Sequence, residues 1–311
     1  LVDNFSQEVA MESFSRGWSF LTQAWKMALA DQDLIKPSIY ALIVGFIVSI
    51  FGMIPMGLAS IVLIDQKTMF AQIILGAMGL ILVFIQFTVT YIFSAMTIYL
   101  IYGYLSEGDG KMEKAWAMVR RDFWDILSLA AASTAVNFIQ GVLRGGRSKR
   151  GSAIRKMIAD LIGTVWTQAA FLILPAMVIE DINLKDGLKR AGQIVKDNLL
   201  LVGIATVGVK AVTGLIGFLL GLIGAGIGFG VGYVIITILG AELIGLIVGI
   251  GLGAMIFFTF TLVATVISSY TGTAYNTCLY LWARDVERAR AAGADEHVAA
   301  PAPLAAVLGN A

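Results

Sequence analysis

Long uncharged runs alternate with short polar ones along the chain, and the polar pieces share a pattern. Leu184, Leu188, Ala191 and Val195 stand at offsets 0, 4, 7 and 11, and the same offsets select Phe14, Trp18, Leu21 and Trp25, then Met112, Trp116, Val119 and Phe123. On a helix these positions share one face. Each copy is read as an amphipathic elbow helix at a membrane surface, followed by a hairpin of membrane-crossing helices.

The runs between the elbows set the crossings. Pro37 suits the first turn of a helix, where a missing N–H would have no partner anyway, and 38–64 carry no charge. That length exceeds the roughly 30 Å of a hydrocarbon core, with Gly52 and Pro55 expected to bend or end the helix. Residues 69–105 would reach about 54 Å as one helix, so tilt or projection is expected, with Tyr99, Tyr102 and Tyr104 as an interfacial belt. Residues 126–143 carry Ser128, Ser133, Thr134, Asn137 and Gln140, which should face other helices. Gln86 and Gln168 would join Asn137 and Gln140 in a common interior. A fourth crossing covers 157–179 with a kink at Pro175. It leads into Asn183 and Asp186, at capping-box spacing.

From 199 to 283 only Lys210 and Glu242 interrupt the apolar run. Two or three crossings fit, and the repeat favours two. A fifth helix ending near Gly224 is expected, then a glycine turn to Gly232, then a sixth helix. The result is an all-α polytopic transmembrane bundle of about six membrane helices. Residues 1–290 form a single transmembrane domain with repeats at 13–105, 111–181 and 183–285. An Ala/Pro-rich tail, 291–311, is expected to be mobile unless it docks.

Composition agrees. Apolar residues make up 58% and charged residues 14%, too greasy for a water-soluble globule of 311 residues. A net charge of +1, without a basic stripe interleaved with aromatics, argues against nucleic acid as a partner. Membrane lipid and other membrane subunits, or copies of the same chain, are the expected partners. Residues 1–13 lack a basic region and an apolar core, so insertion is expected to be signalled by the first membrane helix. Three elbow-plus-hairpin units place the elbows and both termini on one side. Lys and Arg are concentrated there, which favours a cytoplasmic assignment in the cell (inner) membrane. The basic 144–156 loop runs against it.

Several stretches resemble a known family: Ser13-Phe-Ser-Arg-Gly-Trp18, Glu107-Gly-Asp-Gly-Lys-Met-Glu-Lys-Ala-Trp116, Trp166 through Leu174-Pro-Ala-Met-Val-Ile-Glu180, and Asp186-Gly-Leu-Lys-Arg-Ala191. They look like an uncharacterised family of bacterial six-helix membrane proteins, distantly similar to the membrane domain of glycerophosphodiester phosphodiesterases. The resemblance spans roughly 13–285 and implies a fold without an activity or catalytic residues. The glycine-rich 221–253 segment departs from the family's plainer aliphatic pattern.

Candidate chemistry is sparse. Lys210 and Glu242, placed at matching depths, would form an intramembrane ion pair, either structural or part of an ion path. Gly217 and Gly221, and Gly245, Gly249 and Gly253, have small-xxx-small spacing for close packing within or between chains. Trp18, Trp25 and Trp116 read as interfacial anchors. Arg144, Arg147, Lys149 and Arg150 would contact anionic lipid or a partner, or form a solvated linker. Gly226 to Gly230 lacks the strand and Lys-Ser/Thr of a phosphate loop. The lone His297 lies in the tail, Cys278 and the pair Ser268 and Ser269 lack a nearby base, and no ligand set for a metal or cofactor stands out. A non-catalytic structural or assembly subunit is expected. The alternative is a small channel or transporter using Lys210 and Glu242.

Overall fold

The computed structural model describes residues 2–63, 69–145, 152–197, 199–240, 242–293 and 298–308, and every regular element among them is helical. In order these are α1 (Val2–Ala30), a 3₁₀ turn (Gln32–Leu34), α2 (Lys36–Leu63), α3 (Met69–Glu107), α4 (Met112–Arg121) and α5 (Phe123–Arg144). Then follow α6 (Ser152–Glu180), α7 (Leu184–Asp197), α8 (Leu199–Leu239), α9 (Leu243–Ala291) and α10 (Ala302–Leu308). Six helices among the described residues are long and apolar enough to cross a membrane. The chain is an all-α polytopic bundle, and the 199–283 run makes two crossings.

Contacts divide the chain differently from the three repeats. One compact unit gathers 1–27, 200–275 and 300–311; the other gathers 28–199 and 276–299. The first elbow therefore packs with the third hairpin instead of its own. Phe20 meets Tyr275 edge-on, Trp25 meets Tyr270 likewise, the Tyr270 hydroxyl donates to the Ala24 carbonyl, and the Trp25 indole donates to Thr271. Tyr270 and Thr271 are fully buried, so each polar tip needs such a partner.

In the second unit α2 pairs with α3, α5 pairs with α6, and α3 also packs on α5 and α6. The elbows close one end. Asp31 accepts from its own turn at Asp33 and from the Gly110 N–H at 2.8 Å, joining the start of the first hairpin to the α3–α4 turn. Arg121 at the end of α4 pairs with Asp181 in the α6–α7 turn at 3.1 Å. Burial follows this geometry. Ala95, Met96, Leu100, Ile101 and Ile173 near the elbow end are fully covered, whereas Phe46, Phe51, Ile54 and Ile73 lie open to the surroundings. Helices α2 and α6 run through Pro55 and Pro175 without ending.

The apolar face of each elbow is shared between the bundle and the surroundings. At offset 4, Trp18, Trp116 and Leu188 are 50%, 39% and 47% exposed. The covered positions include Gly17, Ala115 and Gly187, one residue before these, together with Phe20, Met118, Val119, Ala191 and Ile194. A Cβ at Gly187 would stand 3.0 Å from Met177 and 3.3 Å from Ile173. Each elbow thus covers a small residue against the bundle and leaves a large apolar one exposed in the adjacent position, which a helix separates by 100°.

The glycine-rich segment also differs from expectation. Helix α8 continues through Gly224–Gly232, and the turn falls at Gly240, whose φ of +83° favours glycine. Glycine weakens a helix through backbone entropy, and here that cost is offset by contact. A Cβ on Gly228 would lie 2.4 Å from the Gly253 carbonyl oxygen, and one on Gly232 2.8 Å from that of Gly249. The reverse approaches, from Gly253 and Gly249, are 2.5 and 2.7 Å. The two backbones touch, leaving no room for a side chain at the seam. The tail folds back on its own chain: the Trp282 indole donates to the Val298 carbonyl, and Leu304 of α10 is fully buried.

Gly228→Ala should force α8 from α9 and cost about 1–3 kcal/mol. Gly226→Ala, with open space around the new methyl, should be neutral or gain up to about 1 kcal/mol. Thermal unfolding of the two variants in detergent, compared with the parent chain, measures the difference.

Candidate functional site

Lys210 and Glu242 do not meet. Lys210 lies near the start of α8, and Glu242 follows the α8–α9 turn, where its carbonyl accepts the first α9 bond from Leu246. About 44 Å of helix axis separates Lys210 from the end of α8. Matching depths for the two residues required a chain reversal at the glycines; with α8 continuous, the ion pair disappears. Both side chains are exposed.

The polar residues of the second unit are drawn together instead. Ser133 on α5, 1% exposed, accepts from the Trp166 indole of α6 at 2.9 Å and shares a 2.7 Å bond with the Tyr91 hydroxyl of α3. One small hydroxyl therefore binds three membrane helices. Gln86 of α3 donates to the Gly45 carbonyl at 3.0 Å and to Ser49 at 2.7 Å, stitching α3 to α2. The Gln140 amide lies over Gly163, where a Cβ would come within 2.6 Å of its oxygen. Gln86 and Gln140 are thus placed between helices, whereas Asn137 is exposed and Gln168 half-buried. Each of these bonds joins neighbours rather than lining a continuous interior.

A charged cluster clamps the third elbow. Arg190 of α7 pairs with Glu180 at the end of α6, at 3.3 Å, and with Glu287 on the polar extension of α9. All three are about four-fifths buried. Burial disfavours the Arg190 charge, but Glu287 and Glu180 outweigh it and raise the guanidinium pKa. The buried Tyr280 hydroxyl sits beside the cluster without a well-formed bond of its own. Next to it, Arg284 lies 5.8 Å over the Tyr102 ring, which places one member of the expected tyrosine belt.

The remaining candidates separate. Gly245, Gly249 and Gly253 lie close against α8 or the turn, whereas a Cβ on Gly217 or Gly221 would meet nothing within 4 Å. Their true counterparts, Gly224, Gly228 and Gly232, have the same four-residue spacing. Trp18 and Trp116 face outward, but Trp25 turns to Thr271. Arg144 pairs with Asp160, both half-exposed, while Arg147, Lys149 and Arg150 lie outside the described residues, as does His297. Cys278 is a buried free thiol. Among the described residues no group of His, Cys, Asp and Glu is arranged to hold a metal ion.

Beside the glycine seam runs a feature absent from the sequence reading, a groove of about 470 Å³ between α8 and α9. Gly228, Gly232, Gly249 and Gly253 form its floor; Phe229, Tyr233, Ile250 and Phe257 form its walls. The Phe229 and Tyr233 rings stack at 6.5 Å and are mostly exposed. With the geometry in view, the class is a multi-pass helical membrane protein. No family model, curated protein or solved structure matches the chain.

Ser133→Ala removes the shared hydroxyl and leaves the Trp166 N–H and Tyr91 O–H unpaired. It should destabilise the second unit by about 1–3 kcal/mol, read as a lower unfolding temperature with Trp166 moving to a less polar emission.

Proposed function

We propose that the protein is a non-catalytic integral membrane subunit of the cell (inner) membrane, with elbows and both termini cytoplasmic. It serves as a structural or assembly element that packs against copies of itself or against other membrane subunits. The observation that carries this reading is the open glycine pair on α8. Gly224, Gly228 and Gly232 are spent on α9, but Gly217 and Gly221 present bare backbone with no neighbour within 4 Å of a Cβ. In a bilayer, helix association depends on such close approach, because lipid is as apolar as leucine. The family resemblance in the elbows is part of the same proposal and adds no activity to it. Separation of Lys210 from Glu242 weighs against the channel or transporter reading, which relied on their shared depth.

The test is the mass of the detergent-solubilised full chain by light scattering. The parent should run as an oligomer or with co-purifying subunits, and Gly217→Leu with Gly221→Leu should reduce it to single chains. A parent that runs as a single chain without a partner, or ion flux in liposomes lost on Lys210→Ala, would overturn the reading.

A further inference from the structure

The groove between α8 and α9 has a polar end that the seam itself does not explain. Its α9 lining residues are Gly249, Ile250, Gly253, Ala254 and Phe257. Continued towards the turn, that face passes through Leu246 and reaches Glu242, since residues four, seven, eight, eleven and fifteen apart lie close together around a helix. The Leu246 N–H bond to the Glu242 carbonyl starts this register at Glu242. Between Lys210 and Arg284, Glu242 is the sole charged residue in the sequence. An exposed carboxylate therefore stands beyond the Gly249 end of the groove, while Lys210, the cation of the same apolar stretch, lies about 44 Å of helix axis from the end of α8.

Depth suggests the occupant. The groove from Gly249 to Phe257 covers about 12 Å, close to the hydrocarbon depth of one leaflet, about 15 Å. Glu242 stands about 10 Å further out, at the level of the headgroups. Its lining is apolar, and its glycine floor offers bare backbone for close van der Waals contact along a chain. The surrounding medium at that depth is acyl chains.

We propose that this groove is a lipid site: one acyl chain lies on the glycine floor between the aromatic walls, and Glu242 accepts the headgroup's ammonium. The site thereby selects a zwitterionic phospholipid with a primary amine over an anionic one, whose headgroup brings no cation to meet the carboxylate. The proposal is independent of the assembly reading, which uses Gly217 and Gly221.

Native mass spectrometry of the delipidated full chain, titrated with dioleoylphosphatidylethanolamine or dioleoylphosphatidylglycerol, tests it. The parent should bind the ethanolamine lipid about two- to fivefold more tightly, the range of an exposed ion pair. Glu242→Gln should erase that preference while retaining chain binding, a change that loss of a helix cap alone would not produce. Ala254→Phe fills the groove from α9 and should weaken both lipids by about tenfold; Ala225→Phe does so from α8 and serves where the first variant fails to fold. Equal affinity of the parent for the two lipids, or undiminished binding in a folded groove-filling variant, overturns the proposal. So does disulfide cross-linking of two chains through Ala254→Cys, which would give the groove to a second copy.

Discussion

Cohesion without water is the constraint on which this architecture depends. Among acyl chains, apolar surface gains little by leaving lipid for protein, so hairpins hold through bare backbone contact and through polar groups that find each other. The α8–α9 hairpin uses the first means, with Gly228 against Gly253 and Gly232 against Gly249. The second unit uses the other. Ser133 gathers Tyr91 and Trp166, and Gln86 reaches Gly45 and Ser49. Conventional burial concentrates towards the elbow end, where aqueous polarity returns and Arg190 can be held by two carboxylates.

The sequence was most legible where chemistry changes with period. Charge-free runs marked the crossings, and the offsets in the elbows marked three equivalent helices. Which positions of each elbow pack on the bundle was less legible, because tryptophan and leucine outweigh glycine and alanine in any apolar pattern. At a membrane surface, large apolar side chains need not point to protein. Gly17, Ala115 and Gly187 carried the packing signal, and it was a signal of absent volume.

The same ambiguity governed 224–232. In a soluble protein, alternating glycines indicate a turn, and that rule ended the fifth helix too early. The four-residue spacing of Gly224, Gly228 and Gly232, matched by Gly245, Gly249 and Gly253, already described two facing seams. The true turn shows only Gly240 beside Glu242. With α8 continuous, Lys210 and Glu242 separate, and Glu242 falls at the α8–α9 turn. The groove itself was not legible, because it depends on which way Phe229, Tyr233 and Phe257 lean around the seam.

The elbow's small–large pair has a consequence for the chain's tolerance of insertion. Gly187 and Leu188 are consecutive, yet one faces Met177 and Ile173 while the other is exposed. A single residue inserted upstream within α7 would rotate both by 100° relative to the preceding turn, exchanging covered and exposed positions in one step. The dipeptide thus acts as an angular index mark: two neighbouring letters fix the helix's roll between two solvents.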